Sequence, residues 1–252
     1  MKDNIFIKIE DKSNLGYAIV LSKELSLPIL NSSPKQENTI ILLIGQNDIS
    51  IKYNKYKPLR VDFLNKEMLY RLKNLHNTRQ NIGKAIGCKN NYHPTILDAT
   101  AGMGTDAFIL AALGAKVTMA ERNPIIHILL KNGLERANQN PKIAEIASNL
   151  KLIHTDSENY LQNTNDYYDV IYLDPMFPEQ NKTALSKKEM EIFKVITQEN
   201  NKQKDDLILE IALKKAKQRV VVKRPLKGPY LENKKPTSQI EGKSSRFDIY
   251  IT

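Results

Sequence analysis

The stretch ILDATAGMGTDA, Ile96 to Ala107, decides how the rest of the chain is read. A short apolar run ends in an acid at Asp98. Two glycines, Gly102 and Gly104, follow, and a helix-compatible run opens just after them. Glycine has no Cβ, so the backbone can turn tightly there and approach a ligand closely. In doubly wound α/β sheets, ligands sit beyond the carboxyl ends of strands at such a turn. Taken loosely, Gly102-Met-Gly104-Thr-Asp-Ala107 fits a dinucleotide fingerprint with alanine in third place.

Working outward, strands and helices alternate. Strands are expected at Thr95–Asp98, Lys116–Ala120, Leu150–His154, Asp169–Leu173, Arg219–Val222 and Arg246–Ile251. Helices are expected at Thr105–Leu113, Pro124–Asn138, with proline in its first turn, and Asp205–Ala216. This alternation predicts a mostly parallel sheet with helices on both faces. Upstream, β-like runs at Ile5–Ile9, Tyr17–Leu21, Thr39–Ile44 and Leu59–Asp62 predict a small N-terminal α/β unit over residues 1–65. A basic connecting helix over 66–94 follows, centred on Lys66–Gly87, with apolar Met68, Leu69, Leu72, Leu75, Ile82 and Ile86. Its other face carries Lys66, Arg71, Lys73, Arg79 and Lys84. The sheet domain then occupies 95–252. Two segments read as flexible: ENNKQKDD, and LKGPYLENKKPTSQIEGKSS before the last strand.

Net charge is +10 over 252 residues. Residues 1–95 carry 15 Lys and Arg against 8 Asp and Glu, while residues 96–252 carry 23 against 20. The surplus on the first part suits a polyanion such as nucleic acid. The one cysteine, Cys88, excludes an internal disulfide and suggests a reducing compartment. The four histidines, His76, His93, His127 and His154, lack metal-ligand spacing, so no metal is expected. No apolar run approaches the ~18 residues of a membrane span. The start, MKDNIFIKIEDKSN, is too charged for a secretory signal, so a cytoplasmic location is expected.

The kind of ligand follows from the acids. Glu121 ends the second sheet strand about 20 residues beyond the glycine turn, where an acid meets a ribose. Asp106 stands in the first helical turn, where it would repel a pyrophosphate but accept a cation. S-adenosylmethionine carries a sulfonium, an ammonium and a ribose diol. The third strand ends in HTDSE, and Asp156, Ser157 or Glu158 lies where adenine could be bonded.

The second decisive stretch is VIYLDPMFP, Val170 to Pro178. An apolar strand ends at Asp174, and two prolines bracket a methionine and Phe177. A base's exocyclic amine is a poor nucleophile, because its lone pair is delocalised into the ring. A carboxylate that accepts its hydrogens favours attack on a methyl group and stabilises the developing charge. Asp174 supplies that carboxylate. Pro175 has no N–H, and its fixed φ helps aim the main-chain acceptors. Phe177 offers a stacking face for the base. Lys223 and Arg224, ending the fifth strand, are candidates for flanking phosphates, and Lys182, Lys187 and Lys188 could extend that track.

Asp-Pro-Met-Phe-Pro resembles the Asp/Asn-Pro-Pro-aromatic motif of amino-group methyltransferases. Together, DATAGMGTDAF, ERNP, YLDPMFP, KKEM, VVVKRP and the terminal RFDIY resemble ribosomal RNA small subunit methyltransferase J. The resemblance implies a Rossmann-like class I methyltransferase fold and S-adenosylmethionine as cofactor. It also implies methylation of a guanine N2 in small-subunit (16S) ribosomal RNA. Thr105, Asp106, Glu121, Arg122, Ser157, Glu158 and Asp174 would then contact the cofactor. The residues alone leave an adenine-N6 methyltransferase open, since both amines suit the same motif, and a non-catalytic RNA-binding assembly factor. A nicotinamide dehydrogenase would leave the DPMFP turn without a role.

Overall fold

The computed structural model describes residues 4–31, 39–54, 56–75, 81–89, 92–175, 192, 195–196 and 207–252. These fall into two compact units. One holds the described residues of 1–62, 123–136 and 192–196; the other holds those of 63–122, 137–175 and 207–252.

The first unit contains β1 (Ile5–Ile9), α1 (Leu15–Leu25), β2 (Ile29–Leu30), β3 (Ile40–Ile44) and β4 (Ile49–Tyr53). The sheet order is β2-β1-β3-β4, with β1 parallel to both neighbours and β4 antiparallel to β3. Every residue of β3 is buried, which its unbroken IILLI run requires. The predicted strand at Tyr17–Leu21 is instead part of α1. Its buried residues, Ala18, Leu21 and Leu25, recur at helical spacing, while Tyr17, Ile19 and Val20 are exposed. Those exposed apolar residues imitate a strand in the sequence. Leu59–Asp62 makes only an isolated bridge, Leu59 to Ile51.

The helix Pro124–Asn138, α5 in chain order, contributes its residues through Arg136 to this first unit. Asn123 caps it, its Oδ1 accepting from the amides of Ile125 and Ile126 at 3.0 and 3.2 Å. Asn132 Oδ1 accepts from the Ile49 amide at 3.0 Å, and Arg136 donates to the Val61 carbonyl. Gly133 allows this approach: a Cβ there would lie 2.4 Å from Val61 Cγ1.

The second unit holds β5 (Thr95–Asp98), β6 (Lys116–Glu121), β7 (Leu150–His154), β8 (Tyr168–Leu173), β9 (Ala216–Pro225), β10 (Ser238–Glu241) and β11 (Ser245–Ile251). Their order across the sheet is β10-β11-β9-β8-β5-β6-β7. All neighbours are parallel except around β11, which runs antiparallel to β9 and β10. The helices are α2 (Lys66–Lys73), α3 (Asn81–Ala85), α4 (Thr105–Ala112), α6 (Ala144–Ser148), α7 (Ser157–Asn163) and α8 (Ile208–Lys215). Starting at β5, the chain winds outward through β6 and β7, then returns to lay β8 on the other side of β5. The order therefore reverses between β5 and β8, and the crevice at their carboxyl ends is the ligand position of such sheets.

Burial explains the continuous apolar runs. Ile96, Leu97, Val170, Ile171, Leu173 and Val220–Val222 are 0% exposed because helices cover both faces. On one face, Leu161 of α7 and Leu209 and Ala212 of α8 pack with Leu97, Ile171, Leu173 and Val220. Elsewhere in this unit Phe108 stacks on Phe63, centroids 4.3 Å apart. The expected α/β class and mostly parallel doubly wound sheet are present, and the predicted sheet strands agree within a few residues at their ends.

Two expectations change. The single helix over Lys66–Gly87 is two helices, α2 and α3, with residues 76–80, including Arg79, outside the described residues. Asn65 caps α2 by accepting from the Met68 amide at 2.8 Å. Of the loop read as flexible, Leu231–Asn233 forms a short 3-10 turn and Ser238–Glu241 forms β10. That strand escapes a hydrophobicity reading because it lies at the sheet edge, where only Ile240 is half-buried. The ENNKQKDD segment and Lys182, Lys187 and Lys188 lie outside the described residues. No helix among the described residues is long and apolar enough to cross a membrane.

Candidate active site

The glycine turn leaves β5 at Asp98 and enters α4 at Thr105. Gly102 and Gly104 hold φ of 52° and 73°, in the left-handed region that other residues reach only at a cost. Gly104 is the N-cap of α4. Side chains from neighbouring elements fix the turn. The Gly102 amide donates to Glu121 Oε2 at 3.0 Å, and Ser157 Oγ, opening α7, donates to the Ala99 carbonyl at 2.5 Å. The Thr100 amide donates to Asp98 Oδ1 at 3.0 Å, while Thr100 Oγ1 accepts from the Asp174 amide at 2.6 Å. The turn, the end of β6, the start of α7 and the end of β8 are thus bonded together. Gly104→Ala is expected to lower stability by about 1–2 kcal/mol and to weaken S-adenosylhomocysteine binding, checked by urea unfolding and titration calorimetry.

Four acids surround the turn: Asp98, Asp106, Glu121 and Asp174. Asp106 is the best partnered. Its Oδ2 accepts from Lys223 Nζ and from the Tyr172 hydroxyl, each at 2.7 Å, and its Oδ1 from Arg71 Nη2 at 3.2 Å. Burial alone would raise its pKa, but the charges of Lys223 and Arg71 and these hydrogen bonds bring it down to about 2. Lys223 also reaches Asp174 Oδ2 at 2.9 Å, so its ammonium bridges the two acids. Burial opposes that charge, yet Asp106 and Asp174 together carry the Lys223 pKa above its ordinary value. Asp174 is held above the usual aspartate value by burial and by Asp106, against the pull of Lys223. Its side chain is still 40% exposed. Asp98, 2% exposed, is pushed up to about 7 by burial, with the Asp106 and Asp174 charges adding to it. The Tyr172 hydroxyl is driven well above its normal range by burial and by the same acids, and stays a donor.

The other sequence-predicted residues are placed as follows. Thr105 and Asp106 occupy the first turn of α4. Arg122 lies 3.8 Å from Asp156, both substantially exposed. Asp156 caps α7, and Glu158 lies in its first turn. Pro175 follows Asp174 directly, whereas Phe177 lies outside the described residues. Two expectations about phosphates do not match the placement. Lys223 points at Asp106 and Asp174 rather than outward. Arg224 is 2% exposed, its Nε donating to the Pro229 carbonyl at 2.7 Å, so it is spent on its own chain.

Arg71, Asp98, Thr100 and Tyr172 complete the site and were missed in the sequence. Tyr172 had a signal: it stands two residues before Asp174, and period two puts both on one face of the strand. Lys223 follows from register, since Leu173 pairs with Val222 and the next residues, Asp174 and Lys223, fall side by side. Arg71 had no signal beyond a basic helix face.

This donor set suits S-adenosylmethionine. A cluster of acids around a glycine turn favours a ligand carrying positive charge and a diol, and would repel a pyrophosphate. Among the described residues, no group of three His, Cys, Asp or Glu side chains is arranged to hold a metal.

Comparison with known proteins agrees. The family model of SAM-dependent methyltransferases matches residues 23–252. A curated relative from Desulfotalea psychrophila, named ribosomal RNA small subunit methyltransferase J, is 42% identical, covering 99% of this chain and 93% of its own. One of the same name from Nitrosococcus oceani is 40% identical, covering 99% of both. The crystal structure of a SAM-dependent methyltransferase from Neisseria gonorrhoeae superposes with a TM-score of 0.75 at 31% identity, covering 97% of this chain and 95% of its own. With fold, acid-lined turn and relatives in agreement, this chain belongs to the S-adenosylmethionine-dependent methyltransferases, in the family of ribosomal RNA small subunit methyltransferase J.

Proposed function

We propose that this protein methylates the exocyclic N2 amine of a guanine in small-subunit (16S) ribosomal RNA. One observation carries the choice of an exocyclic amine as target: a partly exposed carboxylate, Asp174, stands at the switch point of the sheet, bonded through its amide to the glycine turn. The names of the curated relatives point to the same RNA class. The surplus of Lys and Arg in residues 1–95 supports a polyanionic partner. A cytoplasmic location follows from that substrate.

When bound, S-adenosylmethionine supplies a methyl group on a positively charged sulfur, which departs as a neutral thioether. The protein's residues do the rest. Gly102, Gly104 and Thr105 form the floor of the cofactor site, and Asp106, held by Lys223, Tyr172 and Arg71, lies beside it in the first turn of α4. Glu121 and Arg122 take the ribose side, and Ser157 and Glu158 the adenine side. Asp174 accepts a hydrogen bond from the target amine, concentrates the nitrogen lone pair, and takes the proton that the amine sheds as its new N–C bond forms. Holding nitrogen and methyl in line supplies much of the acceleration. Phe177 is proposed to stack on the base, which must first leave its helix at a cost of a few kcal/mol.

The test is methyl incorporation from labelled cofactor into small-subunit ribosomal RNA, free and assembled, followed by nucleoside analysis. The expected product is N2-methylguanosine. Labelled N6-methyladenosine would replace this reading with the adenine one, and RNA binding without turnover would favour an assembly role.

A further inference from the structure

Lys223 calls for an explanation that a phosphate contact does not give. Its side chain is 19% exposed, and its ammonium sits 2.7 Å from Asp106 and 2.9 Å from Asp174. The two acids come from different elements, α4 and the end of β8. Asp106 is additionally held by Arg71 of α2 and Tyr172 of β8. Asp174 has one oxygen on Lys223 and its amide on Thr100.

We infer that Lys223 is a positioning residue for methyl transfer: its ammonium bridges Asp106 and Asp174, keeps Asp174 a carboxylate, and turns it toward the target amine. The inference rests on the proposed role of Asp174 as acceptor of the amine's proton. Without that cation the two carboxylates would repel each other, and Asp174, which lacks the Arg71 and Tyr172 contacts that hold Asp106 ionised, would take up a proton. A protonated Asp174 cannot accept another. The charged groups that bear on it are Lys223 and Arg224 of β9 and Asp106 of α4, with Asp98 of β5 and the Tyr172 hydroxyl in the same cluster. Among the described residues, Lys223 is the cation that touches both acids.

The experiment is the pH profile of kcat at saturating cofactor and RNA, where the acid limb reports the essential base in the bound complex. Lys223→Met should move that limb up by about 1–3 pH units, with the rate recovering at high pH. Lys223→Arg keeps the charge and should keep the limb near its wild-type position. Asp106→Asn removes the like charge and should move the limb down. S-adenosylhomocysteine binding and circular dichroism monitor folding. If Lys223→Met does not fold, the opposed shifts of the other two variants carry the test. An unmoved limb in Lys223→Met, with the rate lowered equally at every pH, would overturn the inference. So would Lys223→Arg behaving like Lys223→Met, or Asp106→Asn leaving the limb in place. The limb is read on whichever methylated nucleoside forms, so failure of the guanine assignment is separable from failure of the lysine assignment.

Discussion

Asp174→Asn is expected to lower kcat for RNA methylation by about 10²–10⁴-fold, while S-adenosylhomocysteine binding stays within a few-fold of wild type. The substitution keeps size and one acceptor oxygen but removes the negative charge and the capacity to take a proton. Loss of turnover with cofactor binding retained is the signature of a group acting on the nucleophile. The Asp174 amide would still donate to Thr100 Oγ1, so the local backbone has little reason to move. Single-turnover methylation with labelled cofactor, beside titration calorimetry, makes the measurement. Full activity in Asp174→Asn would remove the acceptor role and leave the carboxylate as a mere counter-ion for Lys223.

The largest effect on stability is expected away from the reacting atoms. Asp248 in β11 is 0% exposed and pairs with Arg246, 5% exposed, through Nε at 2.8 Å and Nη2 at 3.1 Å. Gln239 of β10 also donates to it at 2.6 Å. The same guanidinium donates to the carbonyls of Pro225, Leu226 and Gly228, the loop that leaves β9 just after Lys223 and Arg224. Asp248→Ala would leave a buried guanidinium without its counter-charge, costing about 3–5 kcal/mol. Urea unfolding would register the loss. An Arg246→Met/Asp248→Leu double variant should lose less than Asp248→Ala alone, because no buried charge is left uncompensated. Equal losses would mean that the guanidinium's grip on the Pro225–Gly228 loop, rather than the pair, holds this edge of the sheet.

The parts of this protein readable from residues in a row are those governed by local rules. The glycine turn, the strand ends at Asp98, Glu121 and Leu173 just before Asp174, and the proline start of α5 are set by backbone sterics and side-chain period, so the residue order alone places them. The same rules misjudged Tyr17–Leu21. A short apolar run fits a half-buried helix as well as a strand, and only the burial of Ala18, Leu21 and Leu25 separates them. They also read β10 as loose chain, because an edge strand with polar side chains owes its order to pairing with β11.

What connects the acids to their cations lies beyond such rules. Lys223 is 117 residues from Asp106 and 49 from Asp174, and Arg71 is 35 from Asp106. Nothing in the order of residues announces these meetings; strand register and helix packing bring them about. A lysine and an arginine in succession, Lys223 and Arg224, look like one basic patch on paper. In the folded sheet the pleat sends them apart, one to the acids of the site and the other inward to the Pro229 carbonyl, because neighbouring residues on a strand face opposite sides.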